Sequence, residues 1–106
     1  MPLTTLDGRY IVVRGSLWRA SDPRLPKAER QAAVTALMSA RRAVRAARGD
    51  SEALAAAGAE VDRAKRLLGE RGTVWWDDGS PNLNGHKAAT THYAEWYAGV
   101  AANDVP

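Results

Sequence analysis

At 106 residues the chain is long enough for one small domain and too short for a large core. It has no Cys, which excludes disulfides, thiolate zinc ligation and a Cys nucleophile. Fifteen Lys and Arg against 12 Asp and Glu leave a net charge of +3, mildly basic rather than extreme.

That charge is unevenly spread. Residues 1–26 carry Arg9, Arg14, Arg19 and Arg24 against Asp7 and Asp22, and residues 27–48 carry Lys27, Arg30, Arg41, Arg42, Arg45 and Arg48 against Glu29 alone. Residues 72–106 are acidic, with Asp77, Asp78, Glu95 and Asp104 against Lys87. Arg outnumbers Lys and Ala is abundant, a bias that a GC-rich genome produces, so Arg count alone argues little. Residues 1–9 hold no apolar run, so no signal peptide is expected. No stretch approaches the roughly 20 apolar residues of a membrane span. The expectation is a soluble cytoplasmic protein with no membrane partner.

In chain order, residues 9–15 read as a short strand, since Tyr10, Ile11, Val12 and Val13 are aromatic or β-branched and suit a pleated surface. Ser16 to Arg19 would continue the extended chain past a bulge at Gly15. Ser21-Asp22-Pro23 is a turn signal. A helix is predicted from about Pro26 through Arg48, ended by Gly49. Asp50 is placed to cap a second helix running to Leu68, with Gly69 as its stop and Gly58 tolerated inside. Ala33, Leu37, Ala40, Val44 and Ala47 form a stripe on the first helix; Leu54, Ala57, Val61, Ala64 and Leu68 form one on the second. A linker this short predicts an antiparallel αα-hairpin.

The two stripes hold few large apolar residues, so the hairpin needs a partner surface. Every aromatic lies outside it: Tyr10, Trp18, Trp75, Trp76, Tyr93, Trp96 and Tyr97. Val74 to Trp76 is expected to pair with Tyr10 to Arg14 as a second strand. Thr91 would cap a last helix over 92–98 whose buried side carries Tyr93, Trp96 and Tyr97, and 101–106 would fray. The predicted fold is α+β and mostly α: one domain over 1–106, a helical hairpin (26–69) on a small aromatic head (9–25 and 70–98).

A family resemblance rests on Tyr10-Ile11-Val12-Val13-Arg14-Gly15 with Leu17-Trp18-Arg19, then Ala40-Arg41-Arg42-Ala43-Val44, then Leu68-Gly69-Glu70-Arg71-Gly72. With Val74 to Gly79, Pro81, Asn84, Tyr93-Ala94 and Trp96-Tyr97, they cover most of the chain. In these segments the sequence resembles a family of small uncharacterised bacterial proteins, some labelled Tol-type biopolymer transport proteins. It departs from the family pattern at His92, where members often have Pro, and at Gly85, where they have Arg. The resemblance implies no activity and no catalytic residues, and no energy-coupling feature here supports the transport label.

Segment 75–86 concentrates varied chemistry. Trp75, Trp76, Asp77, Asp78, Asn82, Asn84 and His86 are the candidate ligand- or partner-binding residues. A calcium loop fails, because Ser80 and Thr91 stand where acids are needed. His86 and His92 lack zinc spacing. No metal, cofactor or catalytic residue is therefore assigned. The competing structural reading is that Asp78-Gly79 and Ser80-Pro81 are turns whose Asn residues cap their own backbone. In a strand, Trp75 and Trp76 would face opposite sides, one buried and one exposed. Arg14 and Arg19 are expected to pair with Asp77 or Asp78.

Arg41, Arg45 and Arg48 share a helical face with Arg42 beside it, which would track nucleic-acid phosphates. The alternative is a solvated face paired within the hairpin to Glu60 or Asp62. The leading functional expectation is a non-catalytic binding or adaptor protein acting through segment 75–86 and the Arg-rich hairpin. Nucleic-acid binding is the second reading, and a small-ligand or hydrolytic site around Asp77, Asp78, Asn84 and His86 the third. A half-exposed Ala-rich hairpin also allows self-association into a four-helix bundle.

Overall fold

Arg14 and Gly15 both take positive φ, 52° and 81°, and the chain reverses there within two residues. In the computed structural model, which describes residues 3–103, this turn joins β2 (Tyr10–Val13) to β3 (Ser16–Arg19) as antiparallel neighbours. The expected bulge at Gly15 is thus a hairpin turn. The reversal sets Leu17 opposite Val12 and Arg19 opposite Tyr10, so alternate residues of both strands bury on one face. A two-residue strand β1 (Leu3–Thr4) pairs with the other edge of β2.

With both edges of β2 taken, Val74 to Trp76 cannot pair there, and it forms no strand. The free edge of β3 is instead covered by residues 85–88. Gly85 N–H donates to the Leu17 carbonyl at 2.7 Å, Leu17 N–H to the His86 carbonyl at 2.8 Å, and Ala88 N–H to the Gly15 carbonyl at 2.8 Å. A short 3-10 turn (Ala88–Thr90) leads to a helix at Ala94–Asn103. That helix begins two residues later than expected and runs further, so Ala101–Asn103 is helical and not frayed; Asp104 to Pro106 lie outside the described residues. Thr91 Oγ1 accepts from Tyr93 N–H at 3.2 Å and its carbonyl from Ala94 N–H at 3.0 Å, so it does organise the turn before the helix. Tyr93 is buried, while Trp96 and Tyr97 are half-buried.

The chain divides into two units: Met1–Ala20 with Trp76–Pro106, which holds the sheet and the aromatic cluster, and Ser21–Trp75. The second unit carries α1 (Lys27–Ala46) and α2 (Ser51–Leu68); the helix at Ala94–Asn103 is α3. Pro26 stands at the N-cap of α1 in an extended conformation. The helix ends two residues short of Arg48, and Gly49 follows with φ 86°. Asp50 accepts from Ala53 N–H at 3.1 Å, the cap that its side chain predicts. Gly69 closes α2 at φ 84°. Any Cβ there would stand 3.0 Å from Asp22 Cβ and from Trp75 Cδ1, so the position needs glycine for space as well as for conformation.

The core of this unit joins Ala33 and Leu37 of α1 to Ala64 and Leu68 of α2, with Leu25, Val34 and Val61 packed against them. Leu54, expected on the buried stripe, is 44% exposed, because it lies at the open end of α2 beyond that cluster. Segment 21–25 is tied to the end of α2: Asp22 N–H donates to the Leu68 carbonyl at 2.7 Å, and Ser21 Oγ to Glu70 at 3.0 Å. Among the described residues there are three α-helices and one three-stranded sheet, the chain is about half helical, and no helix is long and apolar enough to cross a membrane.

Candidate functional site

Tyr10, 1% exposed, is the centre of the aromatic cluster. Its ring meets Trp76 edge-on at 5.5 Å and Tyr93 at 5.7 Å, the geometry that aromatic quadrupoles favour. Its hydroxyl donates to the Pro81 carbonyl at 3.3 Å and accepts from Leu83 N–H at 2.9 Å, which fastens the 80s loop to β2. The Tyr93 hydroxyl donates to Asp7 at 2.6 Å. Burial and that neighbouring carboxylate both push the Tyr93 pKa up. At Asp7, burial works to raise the pKa, but hydrogen bonds from Tyr93 and Thr5 outweigh it and the net shift is downward.

Trp76 lies 8% exposed inside this frame, its indole N–H donating to the Ser80 carbonyl at 2.8 Å. The guanidinium of Arg9 stands 4.9 Å from its ring centre and that of Arg19 6.0 Å, a cation–π arrangement. Arg9 then reaches Asp78 at 2.5 Å, and Asp78 also accepts from Ser80 N–H at 3.0 Å. The Arg9 guanidinium first, and the Ser80 donors second, hold the Asp78 carboxyl well below the usual carboxylate range.

The expected charge stitch between the N-terminal arginines and the late acids therefore exists with a different member. Arg9 makes it; Arg14 occupies the exposed turn between β2 and β3, and Arg19 meets this segment with its guanidinium over Trp76 and its backbone N–H on Asn84. Asn84 Oδ1 accepts from Arg19 N–H at 2.8 Å, and Asn82 Oδ1 from Asn84 N–H at 3.0 Å. His86 contributes its backbone to β3 while its side chain is exposed, and Asp77 is exposed. Trp75 belongs to the other unit, half-buried beside Gly69, with its carbonyl accepting from Arg24. Segment 75–86 is thus used, side chain by side chain, mainly to bind this chain to itself. Sequence reasoning missed Arg9, Thr5 and Asp7 as parts of this cluster; the signal was the Thr5–Gly8 turn, where Gly8 N–H donates to the Thr5 carbonyl at 2.9 Å and leads straight into Tyr10. Among the described residues no group of three or more His, Asp or Glu is placed to hold a metal ion.

The second candidate surface is on α1 and the residues just after it. Arg41, Arg42, Arg45 and Arg48 are all exposed. The pairing expected for them with Glu60 or Asp62 does not form, because those acids serve neighbours closer in sequence. Glu60 faces Arg63 at 3.7 Å, and Asp62 takes Arg66 at 2.7 Å and Arg71 at 3.1 Å. Among the described residues no ion pair engages the four arginines. Lys65 senses the resulting field: burial, then Arg71, then Arg41 lower its pKa, with only Glu70 opposing. Segment 21–75 holds eleven basic and seven acidic residues, a formal +4, so its surplus exceeds that of the whole chain.

Scans against protein-family models, curated proteins and solved structures return no match for this chain.

Proposed function

We propose that the chain is a non-catalytic binding protein that takes a polyanionic partner, nucleic acid foremost, on Arg41, Arg42, Arg45 and Arg48. In the same reading α1 and α2 form an antiparallel helical hairpin that presents these residues, in a soluble cytoplasmic setting. The hairpin is supported by the core, which joins early α1 to late α2. The observation that carries the binding reading is four exposed arginines with no internal counter-charge among the described residues. Arg41 and Arg45 share one face of α1, Arg42 lies about a quarter-turn round, and Arg48 follows in the turn just past the helix end. Phosphates would supply the missing charge, and release of their counterions would drive association. Segment 75–86 is a weaker place for the contact, because Trp76, Asp78 and Asn84 already hold internal partners. Kinship with the small bacterial family named above is compatible with this reading and assigns no activity to it.

The test is a salt titration of binding to mixed-sequence DNA and RNA. The expected log–log plot is linear, with a slope of about −0.9 per phosphate contact on duplex DNA. Replacing Arg41, Arg45 and Arg48 together by Ala should reduce the slope by about 3. Affinity weaker than about millimolar at low salt would sink the proposal, since phosphate-driven binding is strongest there.

A further inference from the structure

We infer that the Ala-lined face of the α1 and α2 pair is a self-association surface whose occupant is a second copy of this chain. Ala36, Ala43 and Ala47 of the α1 side and Ala53 and Ala57 of α2 line a groove of about 610 Å³. A second hollow of about 290 Å³ shares Ala36 and continues the groove toward Leu25 and Leu67, and Leu67 is 60% exposed. The combined surface follows the length of both helices. Methyl side chains let a facing helix approach closely, where larger residues would hold it off.

The outline of the whole two-helix face, polar rim included, reaches the size of a small interface. A 20-residue helix is about 30 Å long, and two side by side are about 20 Å wide, so each copy offers about 600 Å². Two copies bury about 1,200 Å², the lower bound for a specific stable interface.

Charge selects the second copy as occupant. Glu60 of α2 projects from the groove lining, and Arg42 lies on the outer rim of α1, three residues beyond the lining residue Ser39. Leu37 and Ala64 share the core cluster; with those two taken as level in an antiparallel pair, Arg42 falls level with residue 59, one helical step of about 1.5 Å from Glu60. A two-fold axis parallel to the helices lays α1 of one copy over α2 of the other. Arg42 of each then meets Glu60 of its mate, twice over, as an isologous interface requires. The present partner of Glu60 is Arg63 at 3.7 Å, an exposed pair that exchanges at little cost. The Arg41 and Arg45 side of the pair stays outward on both copies.

Sedimentation equilibrium of the full chain without nucleic acid tests this independently of the binding reading. The expected result is a dimer. Ala36→Glu, a change at an exposed helical site, should give a monomer with an unchanged circular dichroism spectrum. Arg42→Glu should raise the dimer Kd about tenfold, and Arg42→Glu with Glu60→Arg should restore it. A wild type that stays monomeric up to about 100 μM, an Ala36→Glu variant that still dimerises, or a double variant with no recovery would each overturn the inference.

Discussion

Arg9 and Asp78 lie 69 residues apart in the chain and meet at 2.5 Å, directly beside the buried Trp76 indole. The pair closes the aromatic cluster from outside: the cation caps the ring face, and the carboxylate fixes the cation. Ser80 donates its N–H to Asp78 and accepts the Trp76 indole N–H on its carbonyl. One ion pair thus links the start of β2, the indole and the 80s loop.

The pH dependence of this clasp has a definite sign. The Asp78 pKa is lower in the folded chain than in the unfolded one. Its contribution to stability is therefore present above the ordinary carboxylate range and is lost as pH falls through the folded value. Asp78→Asn should lower the melting temperature at pH 7, and the gap to wild type should narrow once pH drops below about 4. Thermal melts of both proteins across pH 2–7 check it. A gap independent of pH would mean that the clasp does not depend on the carboxylate charge.

Segment 75–86 should separate sharply by burial. Trp76→Ala removes the indole from against Tyr10 and leaves a cavity, and should cost about 3–5 kcal/mol in urea unfolding. His86→Ala and Asp77→Ala change exposed side chains and should fall within about 0.5 kcal/mol of wild type. Equal losses at all three would contradict the structural role assigned to this segment.

The helical elements were readable because their signals are local. Asp50 caps, Gly69 stops, and the stripes need no knowledge of distant residues. The strand pairing was not readable, since Arg14 takes a left-handed φ that an Arg rarely adopts, and so Arg14-Gly15 did not announce a reversal. β1, at two residues, is too short to show a period. The same error propagated to the site. An extended chain through Gly15 makes Arg14 and Arg19 the natural partners of the late acids, whereas the turn holds Arg14 at its tip and Arg9 is the residue beside Asp78. Asn84 stands out in the sequence as a candidate binding residue, but the partner that the structure gives it, the Arg19 N–H, exists only once the sheet has formed.

Two glycines should respond oppositely to Ala. Gly58 lies inside α2 with nothing within 4 Å of a built Cβ, so Gly58→Ala should stabilise by about 0.5–1 kcal/mol through helix propensity. Gly69 has φ 84° and would press a Cβ on Asp22 and Trp75. Gly69→Ala should destabilise by at least about 1–2 kcal/mol, the left-handed penalty alone. Chemical denaturation of the two variants against wild type measures both signs at once.

The field of the arginine face can be read at a residue that touches no ligand. Lys65 is partly buried, and its pKa is lowered by that burial, then by Arg71 and Arg41. Arg41 is exposed and makes no ion pair among the described residues, so Arg41→Gln should leave the fold intact. It should also move Lys65 back toward its ordinary value, because one repelling charge is gone while burial is unchanged. Carbon-13 titration of the Lys65 side chain reports the shift. Raising salt should reproduce part of the Arg41→Gln effect in the wild type, since exposed charges are screened within about 10 Å at 0.1 M. A Lys65 pKa indifferent to both Arg41→Gln and salt would show that the face is already neutralised, and the case for a polyanionic partner would lose its physical basis.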